Sequence, residues 1–411
     1  MDGKPRNLRT MLSESKDTSE LMVDMAYAAL YFGDRDMAEE VRELEDDMHD
    51  LVQDMRALCV LAVRHRKEAE SMAAVLRVIT AIERIAADAV DIGRIVTHDV
   101  GIPNELVADL ADAEEVSHRV LVREGSHMSR RPLSDLELPV ATGMRVMAIR
   151  RERGWITDVD GDELLTPDDV LFLRGSPAGI TRLRELAAAP TWDPPAAQVE
   201  PTDDARLSDL DCAVDLLVEM KNLSETAVGL AYSALVLDDQ GLAAEVRHLE
   251  DRLDGMKDAL EIWVMKASAE RADPLPLRGL LHLSQAAEDL GDQAQEMVWL
   301  VEKGLGVHPV LGSALGDADE VVMRVPVAAG GECDGASLMQ LQFDIEPGFH
   351  ILAVLRGGRY VYRPTGQVVL AAGDELIASG PEEGRALMAQ RCGWLLEVDD
   401  DTGASKFVAQ R

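Results

Sequence analysis

The chain is one unit written twice at a constant offset of 205 residues, and any fold it adopts must accommodate two copies of the same module. Ser19-Glu20 recurs as Ser224-Glu225, Ala26-Tyr27 as Ala231-Tyr232, and Glu40-Val41-Arg42 as Glu245-Val246-Arg247. Between 19–48 and 224–253, 15 of 30 positions are identical, where ordinary residue frequencies give about two by chance. The offset persists downstream, pairing Glu83 with Glu288, Gly101 with Gly306, Gly143 with Gly348 and Gly175 with Gly380. A period this long is a duplicated module rather than a solenoid. Each half is therefore read as one protomer of a fused homodimer, with an internal pseudo-two-fold axis.

At 411 residues and 47% apolar, the chain has material for two to four domains with real cores. Its net charge of −35 is the compositional feature that excludes most. Phosphate backbones require clustered cations, so nucleic acid is excluded as a partner, and anionic lipid surfaces are disfavoured for the same reason. Arg outnumbers Lys 33 to 8 and Asp outnumbers Glu 42 to 34. Such a surface repels itself in dilute buffer. At molar salt the Debye length falls to about 3 Å and the repulsion is screened, which suggests a salt-loaded, haloarchaeal cytoplasm; an acidic surface made for solubility is the plainer alternative. Met1-Asp2-Gly3-Lys4-Pro5 leads into no apolar core, so no signal peptide is expected. The longest apolar run, Ala57 to Val63, is far short of the roughly 20 residues of a membrane span. Cys59, Cys212, Cys333 and Cys392 form no CxxC pair, which suits a reduced, cytoplasmic setting.

Within each half the hydrophobic period changes once. Met37, Val41, Leu44, Met48, Leu51 and Met55 are spaced 4-3-4-3-4, and Leu242, Val246, Leu249, Leu253, Met256 and Leu260 repeat the rhythm. That seam predicts a helix packed in a bundle. With a helix before it (Met25, Ala29, Phe32) and one after it (Val75, Ile79, Ile82, Ala86, Ala89, Val96), each half opens as three antiparallel helices. Past Gly101 and Gly306 the pattern alternates instead. Val116, His118, Val120 and Val122, then Arg145–Arg150, Trp155–Thr157 and Val170–Leu173, predict strands around a short helix at Leu133 and Leu136, with a last helix to about Ala187. The second copy predicts strands at Val321–Val327, Ile351–Leu355, Arg359–Tyr362, Val368–Leu370 and Glu375–Ala378. The expected fold class is α+β multidomain: two three-helix bundles alternating with two small βαβββα-like domains. The boundaries are 1–105, 108–190, a linker at 191–208, 209–306 and 313–400.

Two families are resembled at these residues. Val120-Leu-Val-Arg-Glu-Gly-Ser126, Gly143-Met-Arg-Val-Met-Ala-Ile-Arg-Arg151 and Asp169-Val-Leu-Phe-Leu-Arg-Gly-Ser-Pro177 are similar to the TrkA C-terminal (RCK-C) domain. Gly348–Arg356 and Gly373–Gly380 resemble it more loosely. The helical part resembles half of a PhoU protein, with Glu83-Arg-Ile-Ala-Ala-Asp-Ala-Val-Asp-Ile92 at the place of a PhoU E-R-I-x-D-x-A-x-N-I motif. No Gly-rich βαβ unit precedes either RCK-C-like domain, so the nucleotide-binding half of many potassium-channel regulators has no counterpart.

The resemblances imply two kinds of site. PhoU proteins carry acidic stripes that hold metal ions, and the matching positions are Glu45 and Glu83 in the first copy, Glu250, Glu288, Asp292 and Glu296 in the second. Ala87 stands where the second copy has Asp292, so the first stripe is incomplete. Glu288, Asp292 and Glu296 share one helix face, and hard divalent cations take such oxygens. Equally, 76 acidic residues place carboxylates at that spacing by chance. RCK-C domains bind small anionic ligands, cyclic dinucleotides among them, where two domains pair. That implies Arg150, Arg151 and Arg356, whose forks suit phosphate, although arginines among so many acids also form plain ion pairs. The cofactors implied are thus a divalent metal ion or a small anionic nucleotide ligand. His118, His127 and His308 lack a second ligand at metal spacing, and no P-loop, G-x-S-x-G or H-E-x-x-H motif occurs. The sequence reads as a non-enzymatic regulator of potassium transport acting on a membrane channel or transporter. The alternative is a metal-binding PhoU-type regulator of phosphate uptake.

Overall fold

A computed structural model describes residues 7–191, 208–270, 274–304, 306–316, 318–398 and 405–409. Most of the expected linker, 192–207, lies outside the described residues. The chain divides into two compact units, and each takes a segment from both copies. One unit spans 1–117 and 193–318, the other 118–192 and 319–411. No helix among the described residues is long and apolar enough to cross a membrane.

The helical unit contains α1 (Leu8–Phe32), α2 (Arg35–Ala62), α3 (Arg66–Thr97) and a short α4 (Asn104–Asp109). At Asn7, the side chain accepts from the Thr10 amide at 3.0 Å and starts α1. Gly33 ends it at φ +61, a left-handed turn for which glycine has no steric cost. The next residue, Asp34, caps α2 by accepting from the Met37 amide at 3.1 Å. The dipeptide Gly33-Asp34 therefore stops one helix and starts the next. On α2, Met37, Val41, Met48, Leu51 and Met55 are buried, as the seam requires, and Leu44 is half-buried. Each such fully buried side chain contributes roughly 1.5–3 kcal/mol.

In contrast to α2, α1 is buried over its whole circumference from Met22 to Leu30. One bundle alone would leave a face of it wet. The second bundle covers that face, packed against the first within the same unit. It consists of α7 (Asp209–Leu237), α8 (Gln240–Glu270) and α9 (Arg278–Glu302), to which a short α10 (Pro309–Leu315) is added. The interface is reciprocal. Lys16 on α1 reaches over the Tyr232 ring at 5.2 Å, and Lys221 on α7 over the Tyr27 ring at 5.3 Å. Both pairs sit at the 205-residue offset, so this unit carries the expected pseudo-two-fold relation.

The α+β unit holds two four-stranded antiparallel sheets. The first contains β1 (Val116–Leu121), β2 (Met144–Arg151), β3 (Gly154–Ile156) and β4 (Val170–Gly175) in the order β1-β4-β2-β3, with α5 (Leu138–Thr142) and α6 (Ile180–Leu186). Along β1 the even positions Val116, His118 and Val120 are buried and Arg119 and Leu121 exposed, which is the alternation of a half-buried strand. The second sheet follows β5-β8-β6-β7, from β5 (Glu320–Pro326), β6 (His350–Arg356), β7 (Arg359–Tyr362) and β8 (Glu375–Pro381), with α11 (Leu338–Leu341) and α12 (Arg385–Arg391). Even the irregularities repeat: β2 shifts register between Val146 and Ala148, β6 between Ile351 and Ala353.

The two small domains meet head to head. A Cβ on Gly143 (φ +65) would strike the Asp344 carbonyl, and one on Gly348 (φ +82) would strike the Pro139 carbonyl. These are the same contact seen from either copy, and both require glycine for space as well as for backbone angle. Ser176 Oγ adds a hydrogen bond to Asp344 Oδ2 at 2.7 Å.

Two features of the second copy depart from the sequence expectation. Val368–Leu370 is not a strand; Val369 makes a single bridge to Ser337, as Leu164 does to Pro132 in the first copy. The run is too short between its flanking turns to build a ladder. Beyond α12 lies an unexpected antiparallel strand pair, β9 (Trp394–Val398) with β10 (Ser405–Ala409). It lies on the second domain's core through Trp394 and Phe407.

Candidate functional site

Two of the three expected arginines serve the framework of the α+β domains. Arg151 at the end of β2 donates to both carboxylate oxygens of Asp169, at 2.9 and 2.8 Å, and to the Leu164 carbonyl at 2.9 Å. Arg356 repeats this with Asp374, at 2.8 and 2.5 Å, and with the Val369 carbonyl at 2.7 Å. Asp169 and Asp374 are almost fully buried, at 1% and 2% exposure. Burial opposes the charge on Asp169, yet hydrogen bonds from Arg151 and Thr166 hold its carboxyl below the usual range. The Arg356 guanidinium does the same for Asp374. Such bidentate forks tie the strand pair β2–β4, and β6–β8, to the loop before each second strand.

Arg150 points elsewhere. Its guanidinium lies 5.6 Å from the Trp155 ring centre and 5.4 Å from that of Phe172, and it lines a half-open cavity of about 440 Å³ in the first α+β domain. Arg119 and Arg123 reach the same cavity from β1 and the residues after it, and Arg184 from α6. The rest of the wall is apolar, including Leu121, Val170, Ala189 and Pro190. Arg184 donates to the Pro190 carbonyl at 2.6 Å and to the His118 ring at 3.1 Å. Burial and the nearby Arg123 lower its proton affinity. His118, 4% exposed, is pushed down to about 4 by burial and by Arg184 and Arg119, and so is neutral at pH 7. Four guanidinium groups thus gather around one opening in a protein whose net charge is −35.

The acidic residues separate into two groups. In the second bundle, Glu250 on α8 and Glu288 and Asp292 on α9 come together with Asp254. Burial, then Asp254 and Asp292, push Glu250 up to about 7. Asp292 is raised by burial and Asp254. Glu288 is raised by burial against the pull of Lys257, whose ammonium donates to it at 3.1 Å. Two of the remaining three pair with cations. Glu296 pairs across the interface with Arg77 of α3, which also lies over the Trp299 ring at 4.3 Å. Glu83 accepts from Arg56 at 2.5 Å. Glu45 is raised by burial, with Arg94 opposing. Among the described residues, no three His, Cys, Asp or Glu side chains are arranged as a metal cage. The donor chemistry of Glu250, Asp254 and Asp292 suits a hard cation, and Lys257 already supplies one positive charge to the cluster's edge.

Sequence reasoning missed Arg119, Arg123 and Arg184, which are brought beside Arg150 only by the pairing of β1 with β4 and the return of α6. It also missed Asp88 on α3, which burial and the facing Asp289 push up to about 8. The one available signal for the arginines was the alternation Arg119-x-Leu121-x-Arg123, which puts two cations on one face of a strand.

Fold and contacts thus define a duplicated protein in which each copy contributes a three-helix bundle to one unit and an α+β domain to another. The PhoU domain matches residues 12–96 and 217–300, and the TrkA-C domain matches 118–188 and 322–393. The chain thus carries two PhoU domains and two TrkA-C domains in tandem, each PhoU domain followed by a TrkA-C domain. Among solved structures, PhoU from Pseudomonas aeruginosa is similar at 14% identity, over 72% of this chain and 96% of that one, with a TM-score of 0.39. The GsuK channel bound to NAD is matched at 14% identity over 68% of this chain and 53% of that one, with a TM-score of 0.17. The GsuK RCK domain is matched at 15% over 68% and 63%, also with a TM-score of 0.17. This chain therefore spans about half to two thirds of the GsuK chains it matches. No curated protein matches it.

Proposed function

We propose that this protein is a cytoplasmic regulatory subunit of potassium transport, which senses a small ligand in its TrkA-C domains and passes a change of shape to a membrane channel or transporter. The observation that supports this reading best is the pairing of the two TrkA-C domains. Their contact at Gly143 and Gly348 is reciprocal and without slack, so a ligand that alters one domain is felt by the other. The PhoU unit, with its large acidic surface, serves as scaffold and docking body. The role needs no catalytic step.

A second reading has its own support: the crowded carboxyls Glu250, Asp254 and Asp292, one raised to about 7, suit a PhoU-type regulator of phosphate uptake that binds a divalent cation. Deleting the gene in the organism that carries it and measuring rubidium and phosphate uptake side by side separates the two. Altered rubidium flux with unchanged phosphate uptake is the expected result. The reverse favours the second reading, and two unchanged fluxes reject both.

A further inference from the structure

The two TrkA-C domains differ in what they bury between the loop after the first strand and the end of the last helix. Cys333 and Cys392 of the second domain stand where the first has Met128 and Ala187. Their sulfurs lie 3.9 Å apart, and both side chains are fully buried in the second domain's core. Met128 and Ala187 are buried to the same degree, so a methionine beside an alanine fills this place equally well. Packing alone therefore does not call for two thiols. The other two cysteines, Cys59 and Cys212, belong to the helical unit.

Their surroundings set the two thiols apart. Cys333 is on the loop after β5, between Glu332 and Asp334, both exposed, so its thiol turns inward from a surface segment. Gly330 and Gly335 bracket that loop at φ +71 and +89, with no atom within 4 Å of where a Cβ would stand. Cys392 caps the C-terminus of α12. Its carbonyl accepts from the Ala328 amide at 2.9 Å, which holds the two segments side by side. Cys333 Sγ donates to the Arg391 carbonyl at 3.1 Å. Hydrogen bonding to Cys392 lowers the proton affinity of the Cys333 thiol, helped by the Arg391 guanidinium and opposed by burial and Glu332. Cys392 is pushed up by Cys333 and by burial. One sulfur is thus the better thiolate and its neighbour the better proton donor, the division that lets a dithiol react in sequence. A disulfide needs about 2.05 Å between its sulfurs. The pair sits on a loop and a helix end, where the remaining approach breaks neither a strand ladder nor a helical turn.

We propose that Cys333 and Cys392 form a reversible disulfide, a peroxide-responsive modification site that the first TrkA-C domain lacks. In a reducing compartment the pair rests as a dithiol, as transient intracellular disulfides do. Local opening of the loop 330–335 admits hydrogen peroxide. The Cys333 thiolate attacks one peroxide oxygen, the O–O bond breaks, and the released hydroxide takes a proton and leaves as water. The Cys392 sulfur then attacks the sulfenic acid left on Cys333. The S–O bond breaks, the S–S bond forms, and the Cys392 proton leaves with the oxygen as a second water. Two electrons pass from the sulfurs to the peroxide, and two equivalents of a small thiol return them. Closure ties the loop to α12 and removes the thiol donor from the Arg391 carbonyl. The Arg391 guanidinium donates to the carbonyls of Leu341, at 2.6 Å, and Glu346. Those residues flank Asp344, which meets Gly143 and Ser176 of the first domain. The modification is therefore placed beside the contact of the two domains, and its chemistry does not depend on which ion is transported.

Titration of free thiols in denaturant, with peptide mapping in the absence of reductant, tests it on the full chain before and after a small molar excess of hydrogen peroxide. Four thiols are expected before treatment and two after, with Cys333 joined to Cys392 of the same chain. Dithiothreitol should restore all four. The melting temperature should rise by a few degrees on oxidation, since the bond joins residues 59 positions apart, and fall back with dithiothreitol. Methionine sulfoxide is not reversed by that reductant, so the reversible part of the shift belongs to the disulfide. Cys392→Ser should leave a sulfenic acid on Cys333 that dimedone captures, and Cys333→Ser should leave none on Cys392. The double change Cys333→Met and Cys392→Ala, which gives the second domain the pair of the first, should keep the melting temperature of the reduced protein and lose the response. Four thiols remaining after peroxide overturn the proposal, as does a bond that links two chains or recruits Cys59 or Cys212. Dimedone captured at Cys392 instead of Cys333 overturns the order of attack.

Discussion

Lys16 and Lys221 stand at equivalent positions and make equivalent contacts, whereas Arg150 and Leu355 stand at equivalent positions and share nothing. The first pair belongs to the helical unit, the second to the α+β unit. Lys16 donates to Glu20 at 2.6 Å and Lys221 to Glu225 at 2.8 Å, both deep in the bundle interface. Two of only eight lysines in the chain are spent on this mirrored arrangement. Where an interface must close on itself, both halves are constrained at once and neither drifts. The cavity of a single domain is under no such constraint, and there the copies are free to specialise.

The comparison breaks most visibly at the buried lysines. Lys16→Met or Lys221→Met keeps the side-chain length and leaves a half-buried glutamate without its cation. Each should cost roughly 1.5–3 kcal/mol, the worth of a hydrogen bond to a charged group, read as a lowered urea midpoint with unchanged slope. Equal losses are expected. A large loss at one position and none at the other would show that the helical unit is symmetric in geometry alone.

A smaller effect sharpens the comparison where the helical copies do differ. Asp88 on α3 corresponds to Gln293 on α9. Burial and Asp289, then Asp91 and Asp292 against the pull of Arg84, push Asp88 up to about 8. The native state therefore holds a proton that the unfolded chain releases near pH 4, and stability falls as pH rises from about 5 to 8 and is flat beyond. Asp88→Asn mimics the protonated form. Its melting temperature should equal that of the wild type at pH 5 and exceed it by a few degrees at pH 9. A variant with the same slope as the wild type would remove Asp88 as the source.

The helical architecture was legible because its signal is local. The seam from Met37 to Met55 repeats in Leu242 to Leu260, and the stop at Gly33 and start at Asp34 are written in two residues. The sheet domains were legible to their strand order in sequence but not to their strand order in space, since β1 lies beside β4 across some fifty residues of chain. That non-local step is what assembles the arginine cavity, so only Arg150 of its four arginines was singled out. Val368–Leu370 misled because an apolar triplet carries no information on whether a partner strand lies beside it. The pair β9–β10 was signalled in its first strand by Trp394-Leu-Leu-Glu-Val398, a strand pattern outside the repeated frame and therefore passed over.

The smallest expected effect concerns the acidic stripes, where the copies have diverged in how they balance charge. In the first copy Glu83 is neutralised by Arg56, and the position after it is Arg84. In the second, Arg56 has become Glu261 and Arg84 has become Asp289, leaving Lys257 as the cation against Glu288. The second cluster is thus short of positive charge, and protonation of Glu250 near pH 7 is one way it is relieved. A divalent cation is another, and the two compete for the same oxygens. Magnesium or calcium binding, if this bundle provides it, should weaken as pH falls below about 7 through protonation of Glu250. Glu288→Gln should reduce it by removing a carboxylate from the cluster, while Glu83→Gln should leave it unchanged, because Arg56 already satisfies that carboxylate. Calorimetry in potassium chloride, with each ion at pH 6 and pH 8, reads both effects. Heat that is lost equally with Glu83→Gln would place the ion in neither stripe, and an absence of heat with the wild-type protein would remove the metal reading and leave Glu250 a protonated core acid.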